Sequence, residues 1–307
     1  MGIVKLFLLI KEMPFIEAVK KSLDFMQGKE IKILLDSILK DQISIPIQLF
    51  SVRRRKMSGH SKWHSIRFKK AAVDAKRGKK FTKIIKEIIV AARTGGGDVE
   101  SNARLRTAVR SAKDANMPKD NIERAIKRGT GELPGVNYED FVYEGYGPAG
   151  VAIYIEGTTD NKNRTTPEIR HIFSKYRGNL GETGCVGWMF TKKGLITIDI
   201  KEVDEDTLTE IAIEAGAEDL ANDGENYTIT TDPNELEAVR NAIDEKEIKV
   251  LSSEVSMIPN STVKVEGKQA ETLIKLLNAL EEQDDVSQVS ANFDIPDEVM
   301  ESITSAL

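Results

Sequence analysis

Between positions 62 and 80 stand eight cations, Lys62, Arg67, Lys69, Lys70, Lys76, Arg77, Lys79 and Lys80, against one carboxylate, Asp74. Trp63, His64 and Phe68 are interleaved with them. Lysine and arginine neutralise phosphates and release condensed counterions, and aromatic planes can stack on exposed bases. The block therefore reads as a polyphosphate-binding face, with core packing as the plain alternative for the aromatics. Arg106, Arg110 and Lys113 follow at the i, i+4, i+7 spacing of one helix face, and Arg124, Lys127 and Arg128 crowd a later helix. A second candidate is the loop Thr158-Thr159-Asp160-Asn161-Lys162-Asn163-Arg164-Thr165, between a strand and a helix start. Backbone N–H groups at a helix N-terminus favour an anion, and Lys162, Arg164 and Arg170 add charge. A polar loop with capping residues is the plainer reading of the same letters.

Other chemistry is thinly supplied. His60 and His64 stand four apart without a third ligand at a recognisable spacing, so no metal site is expected. His171 is read either as a partly buried structural residue or as part of a polar site with Arg164 and Arg170. Gly145-Tyr146-Gly147-Pro148-Ala149-Gly150 fits G-x-G-x-x-G literally, but it precedes a strand instead of following one, so it reads as a turn. There is no P-loop pattern. The carboxylates Glu281, Glu282, Asp284 and Asp285 read as a solvated turn at a helix end. Cys185, the only cysteine, lies in the apolar run Cys185–Phe190 and reads as a buried small hydrophobe. One cysteine excludes an intramolecular disulfide and fits a reducing compartment, the cytoplasm. No nucleophile, base and orienting group can be assembled by spacing, so neither catalysis nor a cofactor is expected. No run reaches the apolar length of a membrane span.

The elements that must hold these residues fall into three regions. Residues 57–135 read as a helical bundle. A helix covers 62–76, and Phe81, Ile84, Ile85, Ile88, Ile89 and Ala92 form one buried stripe that Gly95-Gly96-Gly97 stops. A helix over about 102–115 and a short one after Pro118 complete the bundle. From Val136 the period changes. Strands are expected at 151–155, 186–190, 261–266 and 286–291, with helices from Thr166-Pro167 to Tyr176 and over 268–281. The stretch 191–258 carries its own strand–helix–strand series. The expected fold is α+β: an all-α bundle, then two α+β domains of split βαβ, ferredoxin-like type. One is 136–190 with 259–307, and the other, 191–258, is inserted in it. Residues 1–56 read as an extension. Arg53 and Arg54 could be encoded as a ribosome-binding sequence upstream of Met57, which suggests a misplaced start codon.

Charge divides the same way. Residues 57–135 hold 19 basic and 8 acidic side chains, and 191–307 hold 9 and 28, inside a chain of net charge −5. Either this polarity orients the protein on a polyanion, or the two ends fold together and neutralise each other.

The heptapeptide Met57-Ser58-Gly59-His60-Ser61-Lys62-Trp63 resembles the opening of the YebC family. The resemblance continues through Asn161-Lys162-Asn163-Arg164-Thr165 to Asn292-Phe293-Asp294, so it covers 57–307. It implies a helical domain followed by two α+β domains, one interrupting the other. The family includes bacterial proteins described as probable transcriptional regulators and a mitochondrial translational activator. It therefore implies a non-enzymatic regulator of gene expression. Such a protein would bind DNA through the basic domain, or alternatively ribosomal RNA to relieve stalling at difficult sequences. A third expectation is a basic protein partner for the acidic domain.

Overall fold

The computed structural model describes residues 74–296 and 299–300, with side chains from Gly78 onward. The extension 1–56 and the expected helix over 62–76, up to position 73, lie outside the described residues.

Three helices open the described chain: α1 (Asp74–Gly95), α2 (Ala103–Asp114) and α3 (Lys119–Gly129). The stripe expected on α1 is its inner face. Ile88, Ile89 and Ala92 are buried against Leu105, Ala108, Val109 and Ala112 of α2 and Ile122 and Ala125 of α3. Asn102 joins two helix ends. Its Oδ1 accepts the Leu105 N–H to cap α2, and its Nδ2 donates to the carbonyls of Ala91 and Gly96 at 2.8 Å each. Gly129 lets α3 cross α1 closely, since a Cβ there would stand 2.6 Å from both Ala92 Cβ and the Ile89 carbonyl.

The first sheet is built from β1 (Glu139–Tyr146), β2 (Ala152–Thr159), β3 (Asn179–Leu180) and β9 (Val286–Ala291), in the order β3-β1-β2-β9. β1 and β2 form an antiparallel hairpin whose turn holds Gly147 and Gly150 of the G-x-G-x-x-G run, while Gly145 pairs with Ile153 in the ladder; Gly147 N–H closes the turn on the Val151 carbonyl at 2.8 Å. α4 (Lys162–Lys175) and α7 (Gly267–Glu282) pack on one face around Phe173, Ile169, Leu273, Ile274 and Leu277. The expected strand over 261–266 is two residues, β8 (Val263–Lys264), paired in parallel with β10 (Phe293–Asp294).

Three local expectations change. β1 was not anticipated, and it takes a central place in the sheet. α4 starts a turn earlier than expected because Asn161, not Thr166, is its cap: Asn161 Oδ1 accepts the Arg164 N–H, and Pro167 sits inside the helix. The expected strand over 186–190 is instead a 3₁₀ turn, Gly187–Met189. The physical cause is Glu144. Its buried carboxylate accepts the N–H groups of Gly184, Val186 and Gly187 at 2.6–2.8 Å, so they are not available to a ladder.

Between β3 and β8 runs a second sheet of β4 (Phe190–Asp199), β5 (Asp219–Asn222), β6 (Asn226–Thr231) and β7 (Val250–Pro259), in the order β5-β6-β4-β7. Every neighbouring pair is antiparallel. With α5 (Glu205–Glu214) and α6 (Leu236–Glu245) this is the split βαβ plan. Its core is separate, formed by residues such as Ile196, Ile198, Leu208, Ile229, Val239 and Ile243. The chain enters and leaves this domain as paired strands, from Phe190 opposite Pro259 to Ile198 opposite Val250. Gln288 Nε2 of β9 fastens that pair by donating to Ser256 Oγ at 2.7 Å and Glu254 Oε1 at 3.2 Å. The fold class is thus the expected α+β one. Among the described residues no helix is long and apolar enough to cross a membrane.

Candidate nucleic-acid interface

Lys62, Trp63, His64, Arg67, Lys69 and Lys70 lie outside the described residues, and Arg77 is described in its backbone alone. The visible part of the basic block begins at Lys79, and its first use is internal. α7 ends in Glu281 and Glu282, carboxylates at the end where a helix dipole favours cations, and it has no basic residue in its last turn. α1 supplies them. Lys79, Lys83 and Lys86, at i, i+4 and i+7, donate to the carbonyls of Glu282 (3.2 Å), Glu281 (2.6 Å) and Asp284 (3.0 Å). Lys79 also lies 3.8 Å from the Asp284 carboxylate. Lys80, too, is not without an interaction.

The loop 158–165 does hold an anion, and that anion belongs to the chain. Asp285 is buried against the start of α4. Its Oδ2 accepts from Arg164 and Thr165 at 2.6 Å and from Thr159 at 3.1 Å, while Oδ1 accepts from Lys86 at 2.6 Å. Burial opposes the charge, but the Lys86, Thr165 and Arg164 bonds outweigh it and hold the Asp285 carboxyl far below its ordinary range. The expected solvated turn of Glu281, Glu282, Asp284 and Asp285 is therefore corrected: Asp285 is the hub of the contact between α1 and the first sheet. Arg164 also bonds Asp160 at 2.9 Å, and Lys162 bonds Glu139 at 2.9 Å. Asn161 caps α4, Asn163 and Arg170 are exposed, and His171 is exposed where partial burial was one expectation.

The arginines of α2 turn toward the inserted domain. Arg106 Nε stands 2.5 Å from Glu237 Oε1. Arg110 donates to Asn241 Oδ1 at 2.9 Å and pairs with Asp244. In return, the buried Arg240 of α6 bonds Asp244 at 2.9 Å and reaches Asp114 of α2 at 3.4 Å. The two charged ends do neutralise each other in part, the second of the two readings of the charge map. Lys113 on α2 and Arg124, Lys127 and Arg128 on α3 remain exposed. Those four, together with the part of the basic block outside the described residues, make the candidate interface.

The sequence reading missed Lys83, Lys86 and Arg104 as organising cations. Arg104 grips both Glu87 and Asp140 through paired bonds of 2.6–3.1 Å. The i, i+4, i+7 spacing of Lys79, Lys83 and Lys86 was the available signal. Cys185, expected to be a buried small hydrophobe, is only partly buried. Val186 and Phe190 are buried, but Trp188 is 70 % exposed. Its Nε1 and the Tyr146 hydroxyl donate to the same Cys185 carbonyl, at 3.2 and 3.1 Å. Burial, then the Glu144 charge, pushes the Cys185 thiol upward, away from thiolate chemistry.

Known proteins share this architecture and sequence. A probable transcriptional regulatory protein of Desulforapulum autotrophicum is 58% identical over 247 residues, covering 80% of this chain and all of its own length. One from Geobacter sulfurreducens is also 58% identical over 247 residues, with the same coverage. The crystal structure of a conserved hypothetical protein from Aquifex aeolicus aligns with a TM-score of 0.70 at 52% identity, over 75% of this chain and 95% of that one. Residues 61–132 match the TACO1/YebC protein N-terminal domain, and 138–293 match the TACO1/YebC second and third domain. With two matches in register along most of its length, the chain belongs to the TACO1/YebC family.

Proposed function

We propose that this protein is a non-enzymatic regulator of gene expression, acting in the cytoplasm, that binds duplex DNA through its basic helical domain. One observation carries the reading: Lys113, Arg124, Lys127 and Arg128 stay exposed on α2 and α3, while most other described cations of this domain have protein partners. The relatives' name, probable transcriptional regulatory protein, agrees with it. The exposed groups suit phosphate oxygens, so they would position the protein on a backbone without selecting a base sequence. That property favours a second reading, RNA on the ribosome, because phosphate attraction is common to both polymers.

The test is affinity against salt concentration for duplex DNA and for a ribosomal RNA fragment, with co-sedimentation of the full chain with ribosomes. Tighter DNA binding without co-sedimentation supports the first reading. Co-migration with ribosomes moves the function to translation. Affinity for neither polymer removes both.

A further inference from the structure

The two faces that join the helical domain to the rest of the molecule are built differently. At one, Asp285 is 2% exposed in its side chain, bonded to Lys86, Arg164, Thr165 and Thr159, and closed off from water. At the other, Arg240 is 7% exposed in its side chain, but Arg106, Arg110, Glu237 and Asp244 keep 29–41% of their side-chain surface. The cores on its two sides are separate clusters. Between them lies a cavity of about 180 Å³, lined by Ala103, Arg106 and Arg110 of α2 and by Glu237, Arg240 and Ser253 of the inserted domain. The partly exposed pairs of Arg106 and Arg110 are weak and screened by salt.

We propose that the inserted domain is an internal competitor for polyphosphate. In this arrangement the carboxylates of α6 occupy Arg106 and Arg110, and a nucleic-acid backbone displaces them. The inference rests on the nucleic-acid reading above and adds its regulation. Guanidinium groups bind phosphate and carboxylate with the same fork of donors, so the exchange needs no new chemistry. Residues 191–258 carry 18 acidic and 6 basic side chains. A polyanion approaching α2 therefore meets repulsion until that domain moves aside. By linkage, whatever holds the inserted domain on α2 weakens nucleic-acid binding, and nucleic acid weakens the docking by the same factor.

The experiment compares the full chain with E237Q and with the triple variant E237Q/R106Q/R110Q. The probes are a fluorescein-labelled duplex DNA and an RNA hairpin of equal charge. Glu237 is half-exposed and lies in neither core, so E237Q keeps the fold, which circular dichroism verifies. The expected result is two- to fivefold tighter binding by E237Q, about the worth of one exposed pair, and loss of that gain in the triple variant. Amide exchange in α6 should quicken in the wild type when probe is added. Equal affinities for wild type and E237Q, or α6 exchange unchanged by bound probe, overturn the competition and leave the nucleic-acid reading standing. No binding of either probe by any of the proteins overturns that reading and this inference with it. Should one probe alone show the effect, it identifies the polymer.

Discussion

Lys86 Nζ lies 2.6 Å from Asp285 Oδ1, with both side chains buried, where the first described helix meets the turn after the last. Removing Lys86 takes one of two cations from this buried carboxylate and leaves Oδ1 without its donor, while Arg164 stays on Oδ2. Lys86→Met is expected to cost about 1.5–3 kcal/mol, measured by urea unfolding at neutral pH. The pH dependence has a definite sign. The folded-state pKa of Asp285 is depressed below its ordinary 3.8, so its stabilisation is complete above that value and is lost as pH falls below it. Lys86→Met raises the folded pKa and narrows the gap. The variant should therefore be weaker at pH 7 yet lose less further stability between about pH 4 and pH 2 than the wild type.

Glu144 organises the loop that carries Trp188. Glu144→Gln keeps the size of the side chain but removes the charge that accepts three backbone N–H groups. Hydrogen bonds to a charged acceptor contribute about 1.5–3 kcal/mol, so a loss of that order is expected. Amide exchange should quicken first at Gly184, Val186 and Gly187, and Trp188 fluorescence anisotropy should fall. Burial works against the Glu144 charge, but these bonds prevail and lower its pKa. The wild-type loop should loosen as pH falls through that depressed value, and the glutamine variant should show no such transition.

The exposed cations of α3 allow a test of the proposed function that leaves domain docking alone. Arg124→Glu with Arg128→Glu should weaken binding to any nucleic acid and flatten its salt dependence by up to about two counterions. Reversing Lys79 is a poorer test, because that side chain also reaches the end of α7. Unchanged salt slopes in the double variant would remove α3 from the interface.

Much of this architecture is readable from periodicity. The stripe of Ile88, Ile89 and Ala92, helix α5 and strand β9 follow directly from the spacing of apolar residues. What the spacing could not supply was the destination of each charge. The letters at 158–165 promise an anion, but only the fold brings Asp285 there from more than a hundred residues away. Arg106 and Arg110 look like a free basic face until α6 is seen beside them. Val186 to Phe190 has a strand's composition, yet a buried carboxylate three strands earlier in the chain takes the N–H groups of Val186 and Gly187. β1 escaped notice because its residues Glu139, Asp140, Val142, Glu144 and Tyr146 mix charge with apolar surface, and several of the charges are paired only by tertiary contacts.

Asn102 offers a last test, of the helical domain itself. Its side chain caps α2 and donates to two carbonyls at the end of α1, one of them buried. Asn102→Ala loses an N-cap, a cost of about 1 kcal/mol, and leaves the buried Ala91 carbonyl without that donor, about 1–3 kcal/mol more. Asn102→Asp separates the two roles, because the carboxylate keeps the cap for Leu105 N–H but cannot donate. It also brings a negative charge against the Ala91 and Gly96 carbonyls. If the two-sided bond is what matters, Asp should be nearly as destabilising as Ala in thermal unfolding. If capping alone matters, Asp should match the wild type. The relation holds for a compact reason: Gly95 leaves the space the amide fills, since a Cβ there would stand 2.5 Å from Asn102 Nδ2. Gly95→Ala should therefore weaken the same helix junction, and combining it with Asn102→Ala should cost less than the sum of the two.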